Sequence, residues 1–430
     1  GDLATETTEI RIVLDDATLY VGILARDAEP DRIVGRILQR DRVMKVEHDG
    51  LEFAGDDAIA ILFDPFHDSR NAFVFATNPN GAEFEALITD EGAEVNVDWR
   101  AVWDVAAARG PDGWSAEFAI PFRTLRYPEN GEGQPWGFNV YRTIRRKNEL
   151  ALWQSWSRDN EGFERVSRAG HLTGMEGLPK PGLNVEAKPF VLGGIRQELT
   201  DDGRTPVDRE ADLGLDLKSE LRPGLVLDLT LNTDFAQVEV DDEQVNLTRF
   251  SLFYPEKRDF FLDGANYFNF GINDNKLIPF FSRRIGLDST GNPIPVQYGT
   301  KITGQAGKWN IGAMYMKDKR ENWDHSNFVV TRISRNVGDQ SQAGFITTYG
   351  NALEDVQNYL LGLDLRLASS RFRGDKNIAL TMYGLKSSTM FKDESLREEG
   401  RELSYGIEFV YPNDFLNLKI GHMEIQENFV

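Results

Sequence analysis

The sequence predicts an all-β protein, an N-terminal β-sandwich followed by an antiparallel β-barrel of the outer-membrane type. Three observations carry that prediction. From Glu9 to about Gly177, short apolar segments recur with turn residues between them. After the break Leu178-Pro179-Lys180-Pro181-Gly182, the segments lengthen and alternate strictly between Leu and charged or small residues. No run of about 18 apolar residues occurs, so no membrane-spanning helix is encoded.

In the first part, Glu9–Leu14 and Thr18–Arg26 read as strands around an Asp15-Asp16 turn. Ala58–Asp64, Ala72–Thr77 and Ala82–Ile88 follow, the last two separated by Asn78-Pro79-Asn80-Gly81. Val102–Ala108, Trp114–Ile120 and Trp136–Arg142 continue the series. A short helix is expected around Pro30–Arg42, and Pro121-Phe122-Arg123 reads as a strand exit onto a helical turn. The domain division is therefore a sandwich over 1–178, a linker over 179–183 and a barrel portion over 184–430.

In the second part, Leu213, Leu215 and Leu217 alternate with Asp212, Gly214, Asp216 and Lys218. Leu225, Leu227, Leu229 and Leu231 alternate with Val226, Asp228 and Thr230, and Leu361, Leu363 and Leu365 with Gly362, Asp364 and Arg366. Shorter versions follow over 378–383 and 403–410. A period of two puts all the leucines on one face. The expectation is that they point outward toward lipid, with Asp212, Asp216, Asp228, Asp364 and Arg366 inward. Tight connections (Arg222-Pro223-Gly224, Pro412-Asn413-Asp414) contrast with long polar ones (Gln197–Glu210, Thr389–Glu402), the asymmetry of an outer-membrane barrel.

Composition narrows the function. The 430 residues carry 48 Lys plus Arg against 69 Asp plus Glu, a net charge of −21 spread over both parts. Such a field repels a phosphate backbone, so a nucleic-acid partner is not expected. With no cysteine, thiolate catalysis, disulfides and Cys-ligated zinc are all excluded.

The run TDFAQVEVDDEQVNLTRFSLFYPEKRDFFLDGANYFNFG (Thr233–Gly271) resembles the signature of a bacterial outer-membrane family of undefined function. So do Phe280–Met316, Asp64–Ile88 and Gly113–Tyr127. The resemblance implies a domain like carbohydrate-binding module family 9 joined to a barrel. It further implies a glycan or polysaccharide partner, outer-membrane lipid around the barrel, and an N-terminal domain that is periplasmic or surface-exposed. Members of that family usually start with a signal peptide and an opening segment of the binding domain, and continue through further strands. The sequence therefore reads as an internal portion of a longer protein, with about ten to twelve barrel strands.

Sugar binding needs an aromatic face against the C–H face of a pyranose. Trp99, beside Asp98 and Arg100, is the expected exposed platform, with Trp153 and Trp156 as partners across a cleft. Trp103, Trp114 and Trp136 read as core, since each sits in an apolar strand. No cofactor is expected, calcium being the one candidate ion. Asp56, Asp57 and Asp64 are its weak ligand candidates, but they lack the spacing of a dedicated loop and read rather as solvated turn acids. Five His without paired spacing, no nucleophile elbow and no P-loop leave no catalytic constellation. Glu83, Glu85 and Glu117 on strands keep a glycoside hydrolase as an alternative, and an envelope assembly component with protein partners is another. Within Thr233–Gly271 the residues Arg249, Phe253, Lys257, Arg258, Phe260 and Phe261 mark an aromatic, charged segment expected to plug the barrel or line its rim. Lys257 and Arg258 are expected to pair with Glu239, Asp241, Asp242 or Glu243.

Overall fold

A computed structural model describes residues 3–47, 50–92, 94–97, 99–125, 127, 135–155, 162–175, 177–178, 185–197, 199–200, 203–204, 208–222, 224–232, 256–271, 277–287, 294–319, 327–338, 340–350, 356–374, 376–391 and 400–429. The protein is all-β, built from antiparallel sheets. Trp156, Asp98, Arg249, Phe253 and the acids from Glu239 to Glu243 lie outside the described residues.

The first part holds β1 (Thr8–Leu14), β2 (Thr18–Arg26), β3 (Met44–Glu47), β4 (Gly50–Phe53), β5 (Ala58–Asp64), β6 (Ala72–Thr77), β7 (Phe84–Thr89), β8 (Glu94–Asn96), β9 (Asp104–Gly110), β10 (Gly113–Pro121), β11 (Trp136–Ile144), β12 (Glu149–Leu152) and β13 (Gly170–Leu172). A four-stranded sheet runs β1-β2-β10-β9. A seven-stranded sheet runs β12-β11-β5-β6-β7-β8, with β13 also on β11. One hydrophobic cluster joins the two sheets, with Val21, Ile23 and Phe118 from the smaller meeting Ile61, Phe75 and Phe138 from the larger. A second cluster covers the other face of the larger sheet, where Ala60, Leu62 and Val74 meet Met44 and Leu51 of the β3–β4 hairpin. That is why β5 reads AIAILFD without alternation: both of its faces are buried.

The helix expected around Pro30–Arg42 is absent apart from one 3-10 turn, Pro30–Arg32. Extended backbone replaces it because two carboxylates claim its N–H groups. Val34 donates to Asp57 at 2.7 Å, and Arg36 and Ile37 both donate to Asp56 at 2.8 Å. After β10, the Thr124 N–H closes a turn on the Pro121 carbonyl, the expected strand exit in its shortest form.

The second part holds β14 (Val185–Arg196), β15 (Leu199–Thr200), β16 (Gly203–Arg204), β17 (Asp208–Arg222), β18 (Leu225–Leu231), β19 (Val296–Ala306), β20 (Trp309–Asp318), β21 (Asn327–Val337), β22 (Ser341–Tyr349), β23 (Val356–Phe372), β24 (Lys376–Phe391), β25 (Leu403–Pro412) and β26 (Asn417–Ile425). Apart from the small β15–β16 ladder, these form one eleven-stranded sheet in chain order from β14 to β26. Among the described residues no sheet closes into a barrel, so β14 and β26 are the ends of an open order. Pro189 sits in β14, where a missing N–H is tolerated because the strand is an edge.

Each strand of a meander reverses direction, so connections alternate between the two ends of the sheet. Residues 223–224, 307–308, 338–340, 373–375 and 413–416 make the short end, and 232–295, 319–326, 350–355 and 392–402 the long end. Within the longest connection, residues 256–271 form a strap that packs on one face of the sheet, termed here the inner face. The strap carries α1 (Asp259–Leu262) and a 3-10 turn, Ala265–Phe268. Its Phe261 and Phe268 share a cluster with Met314, Met316, Val330 and Leu385 of the sheet.

Candidate functional site at the junction of the two parts

The first part sits at the short end of the long sheet. The Arg70 guanidinium reaches the Asn336 amide oxygen at 3.3 Å and the Ser341 carbonyl at 3.4 Å. Arg168 donates to the Ser370 carbonyl at 2.7 Å. Buried Glu91 is hydrogen-bonded to Ser167 in its own part and to Gln340 in the short β21–β22 connection. Burial pushes the Glu91 carboxyl above the usual carboxylate range, against the pull of those bonds.

Between these contacts lies a cavity of about 400 Å³. The first part contributes Phe66, Phe73, Thr89, Trp99, Arg100 and Arg123; the sheet contributes Glu186, Lys218, Glu220, Val226 and Gln305; the strap contributes Asn266 and Tyr267. Its size falls within the range of pre-formed small-molecule sites. A smaller cavity of about 130 Å³ adjoins it, sharing Trp99, Arg100, Glu186 and Lys218. Aromatic rings, amides, hydroxyls and charges of both signs therefore surround one space.

Trp99 lines this cavity but is not the exposed platform expected: only 8 % of it is accessible. Its ring packs at 5.3 Å from Phe73 and 6.1 Å from Phe75, because the segment after β8 folds back over β6. Arg100 pairs with Asp41 at 3.0 Å and donates to the carbonyls of Val97 and Trp99, so it is engaged within its own part. Trp153 is half exposed and packs at a tilt against Phe138, 5.5 Å between ring centroids, but it lines neither cavity. The structure does not bring Trp99 and Trp153 together. Trp103, Trp114 and Trp136 are buried in the shared core as the sequence implies.

The three aspartates are buried anchors and not solvated turn acids. Besides holding the 34–37 segment, Asp56 accepts from the Asn78 amide at 2.9 Å and Asp57 from the Arg145 N–H at 3.1 Å. Asp64 accepts the N–H groups of Ser69 and Asp68 in the β5–β6 turn, where His67 and Ser69 have left-handed backbone. Burial raises the carboxyls of both Asp57 and Asp64. Among the described residues no group of three or more His, Asp or Glu is placed to hold a metal ion.

Glu83 and Glu85 converge on Arg40, and Glu85 also accepts from the Trp103 indole at 3.2 Å. In the strap, Arg258 pairs with its neighbour Glu256 at 2.6 Å, donates to the carbonyls of Ile285 and Ser282, and lies 4.1 Å from the Phe261 ring centroid. The acids expected as partners of Arg258 lie outside the described residues; among those described, Arg258 closes a local loop clasp. Phe260 lies under Lys301, whose ammonium donates to the Phe260 and Asp263 carbonyls and faces Asp228 at 3.4 Å. Asp263 also pairs with Lys218. Lys257 lies at the start of the strap, where its N–H turns back to Glu256 at 3.1 Å.

Sequence reasoning missed Thr89, Arg123, Asn266 and Gln305, which meet only through the docking of three distant segments. A signal existed for Gln305, an inward polar position of a strand, and for Tyr267, which belongs to the aromatic run.

Residues 182–311 match a domain of unknown function, DUF5916. The DUF5916 region spans β14 to the start of β20 and includes the strap with the sheet half of the cavity. Neither a carbohydrate-binding module nor an outer-membrane barrel is named by that match. No curated protein and no solved structure matches the chain.

Proposed function

We propose that this chain is a bacterial outer-membrane protein whose long sheet supplies spanning strands of a barrel. Its N-terminal β-sandwich, resembling carbohydrate-binding module family 9, handles a glycan bound or taken up at the envelope. One observation carries the reading: the polarity of the long sheet is inverted relative to a sheet in water. On the outer face, Leu213 is 72 % and Leu363 66 % accessible, and Val191, Ile195, Leu361, Ile407 and Ile420 are also exposed. On the inner face, Lys301 and Arg332 are each 1 % accessible, with Asp228, Thr230, Asp318 and Ser387 buried beside them. The inner charges are compensated: Arg332 makes a two-pronged pair with Asp364 at 2.5 and 2.7 Å. Beneath the strap the inner face also holds the cluster around Met314, Met316 and Val330, but an accessible apolar band outside with paired charges inside is what a lipid environment selects.

Barrel closure in this reading requires the open edges of β14 and β26 to be paired, with Pro189 of β14 at a position that needs no N–H donor. The strap is the plug, and the N-terminal part stands on the short-turn end, the periplasmic side in outer-membrane barrels. Expression in a bacterium with an outer membrane, followed by membrane fractionation, tests the reading. The chain should sediment with outer membranes and leave them only with detergent. Its recovery as a soluble monomer in plain buffer overturns the proposal.

A further inference from the structure

We propose that the junction cavity is a composite binding site for an acidic saccharide, with Arg123 receiving the ligand's carboxylate. This deepens the glycan reading above and rests on it. The cavity holds polar groups that the protein leaves unused. The Thr89 hydroxyl is buried and has no hydrogen-bond partner among the described residues. The Gln305 side chain is 6 % accessible and lines the same space, and neither its amide nor that of Asn266 makes a side-chain hydrogen bond among the described residues. The Thr89 hydroxyl alone carries the cost of a buried group without a partner; the Asn266 and Gln305 amides line the cavity and keep their donors and acceptors for a ligand.

The charges decide the class. Arg100 is paired with Asp41, Lys218 with Asp263 and Glu186 with Lys188. Arg123 makes no ion pair or side-chain hydrogen bond among the described residues, and it stands in an exposed turn at the cavity wall. One guanidinium fork suits one carboxylate. A polyphosphate needs several free cations, whereas among the described lining residues Arg100 and Lys218 are already paired and Arg123 alone has no ion pair. Hydroxyls suit the Asn266 and Gln305 amides, and Trp99 and Tyr267 bring aromatic surface for the apolar side of a pyranose ring. The site needs both parts of the chain, so it forms only where the N-terminal part is seated on the sheet.

The test is titration of the full chain in detergent with digalacturonate and, separately, with cellobiose, followed by calorimetry and by tryptophan fluorescence. Digalacturonate should bind more tightly than cellobiose and progressively less as salt rises. Arg123→Gln should weaken digalacturonate by about tenfold or more and leave cellobiose unchanged. Thr89→Val and Gln305→Ala should weaken both, and Trp153→Ala, away from the cavity, neither. The cavity assignment fails if Trp153→Ala abolishes binding that the cavity variants retain. The acidic class fails if both disaccharides bind alike and Arg123→Gln changes neither. Absence of any binding by folded, membrane-extracted chain overturns the site while leaving the membrane assignment intact, and a chain soluble without detergent does the reverse.

Discussion

Arg146 organises the most acidic corner of the N-terminal part. It contacts Glu6 at 2.5 Å, Asp27 at 2.7 Å and Glu29 at 2.9 Å, and Lys147 adds a second cation on Glu6 at 2.6 Å. Lys147 is the main cause holding the Glu6 carboxyl below its ordinary value. For Asp27 burial works the other way, yet hydrogen bonds from Arg146 and the Glu29 N–H keep it below as well. Lowered carboxyls contribute stability above their unfolded values, near 4, and that stability is lost as pH falls through the folded values. Arg146→Gln should therefore lower the melting temperature clearly at pH 7, and the gap to the native chain should shrink below about pH 4. Melting curves from pH 7 to pH 3 check this; a gap that widens on acidification contradicts it. At Trp114, fully buried in the shared core, replacement by Ala should cost about 3–5 kcal/mol. The indole N–H is buried without a partner among the described residues, so Trp114→Phe should cost much less than Trp114→Ala. Denaturant midpoints of the two variants compare them.

At the scale of elements, a glycine sets the geometry of the inner face. Arg332 on β21 reaches Asp364 on β23 by passing over Gly344 on β22. A Cβ at Gly344 would lie 2.5 Å from the Arg332 guanidinium and 2.7 Å from the Ser334 side chain. Arg332 also donates to the Asn269 carbonyl at 2.9 Å, and Asp364 accepts the Gly271 N–H, so this pair ties the end of the strap to the sheet. Gly344→Val should dislodge the arginine and leave a buried charge poorly paired, at about 3–5 kcal/mol. Gly384→Ala is the contrast, since nothing lies within 4 Å of the added carbon. Urea midpoints should drop for the first variant and stay put for the second. The β5 strand and the 34–37 segment teach a related lesson: partners elsewhere in the chain, not local propensity, set what each becomes.

For the whole molecule, the inverted polarity makes a sharp prediction. Leu363 lies on the exposed outer face, 66 % accessible, and in water its replacement by Arg would be nearly harmless. In lipid the same change should cost about 2–4 kcal/mol near the midplane. Folding titrations of Leu363→Arg into phospholipid vesicles should show that loss, whereas unchanged folding would count against lipid contact. Among the described residues, Arg70, Glu91, Asn96 and Arg168 provide polar links between the two parts. Replacing Arg70 and Arg168 together by Ala should raise protease sensitivity of the 179–184 region without changing the sheet's circular dichroism.

The sequence by itself determined the all-β class, the bounds of Thr18–Arg26, Ala58–Asp64, Ala72–Thr77 and Leu225–Leu231, and which face of the long strands carries leucine. Periods of two and turn residues are local properties, legible without knowing any partner. The β3–β4 hairpin, the missing helix after Pro30, the burial of Trp99 and the anchoring roles of Asp56, Asp57 and Asp64 were decided only by tertiary structure. So was the candidate site. Thr89, Arg123, Asn266 and Gln305 are far apart in the chain and carry no mutual spacing. They become neighbours because the N-terminal part seats on the short turns and the strap folds onto the inner face, and long-range packing of that kind leaves no local trace in a sequence.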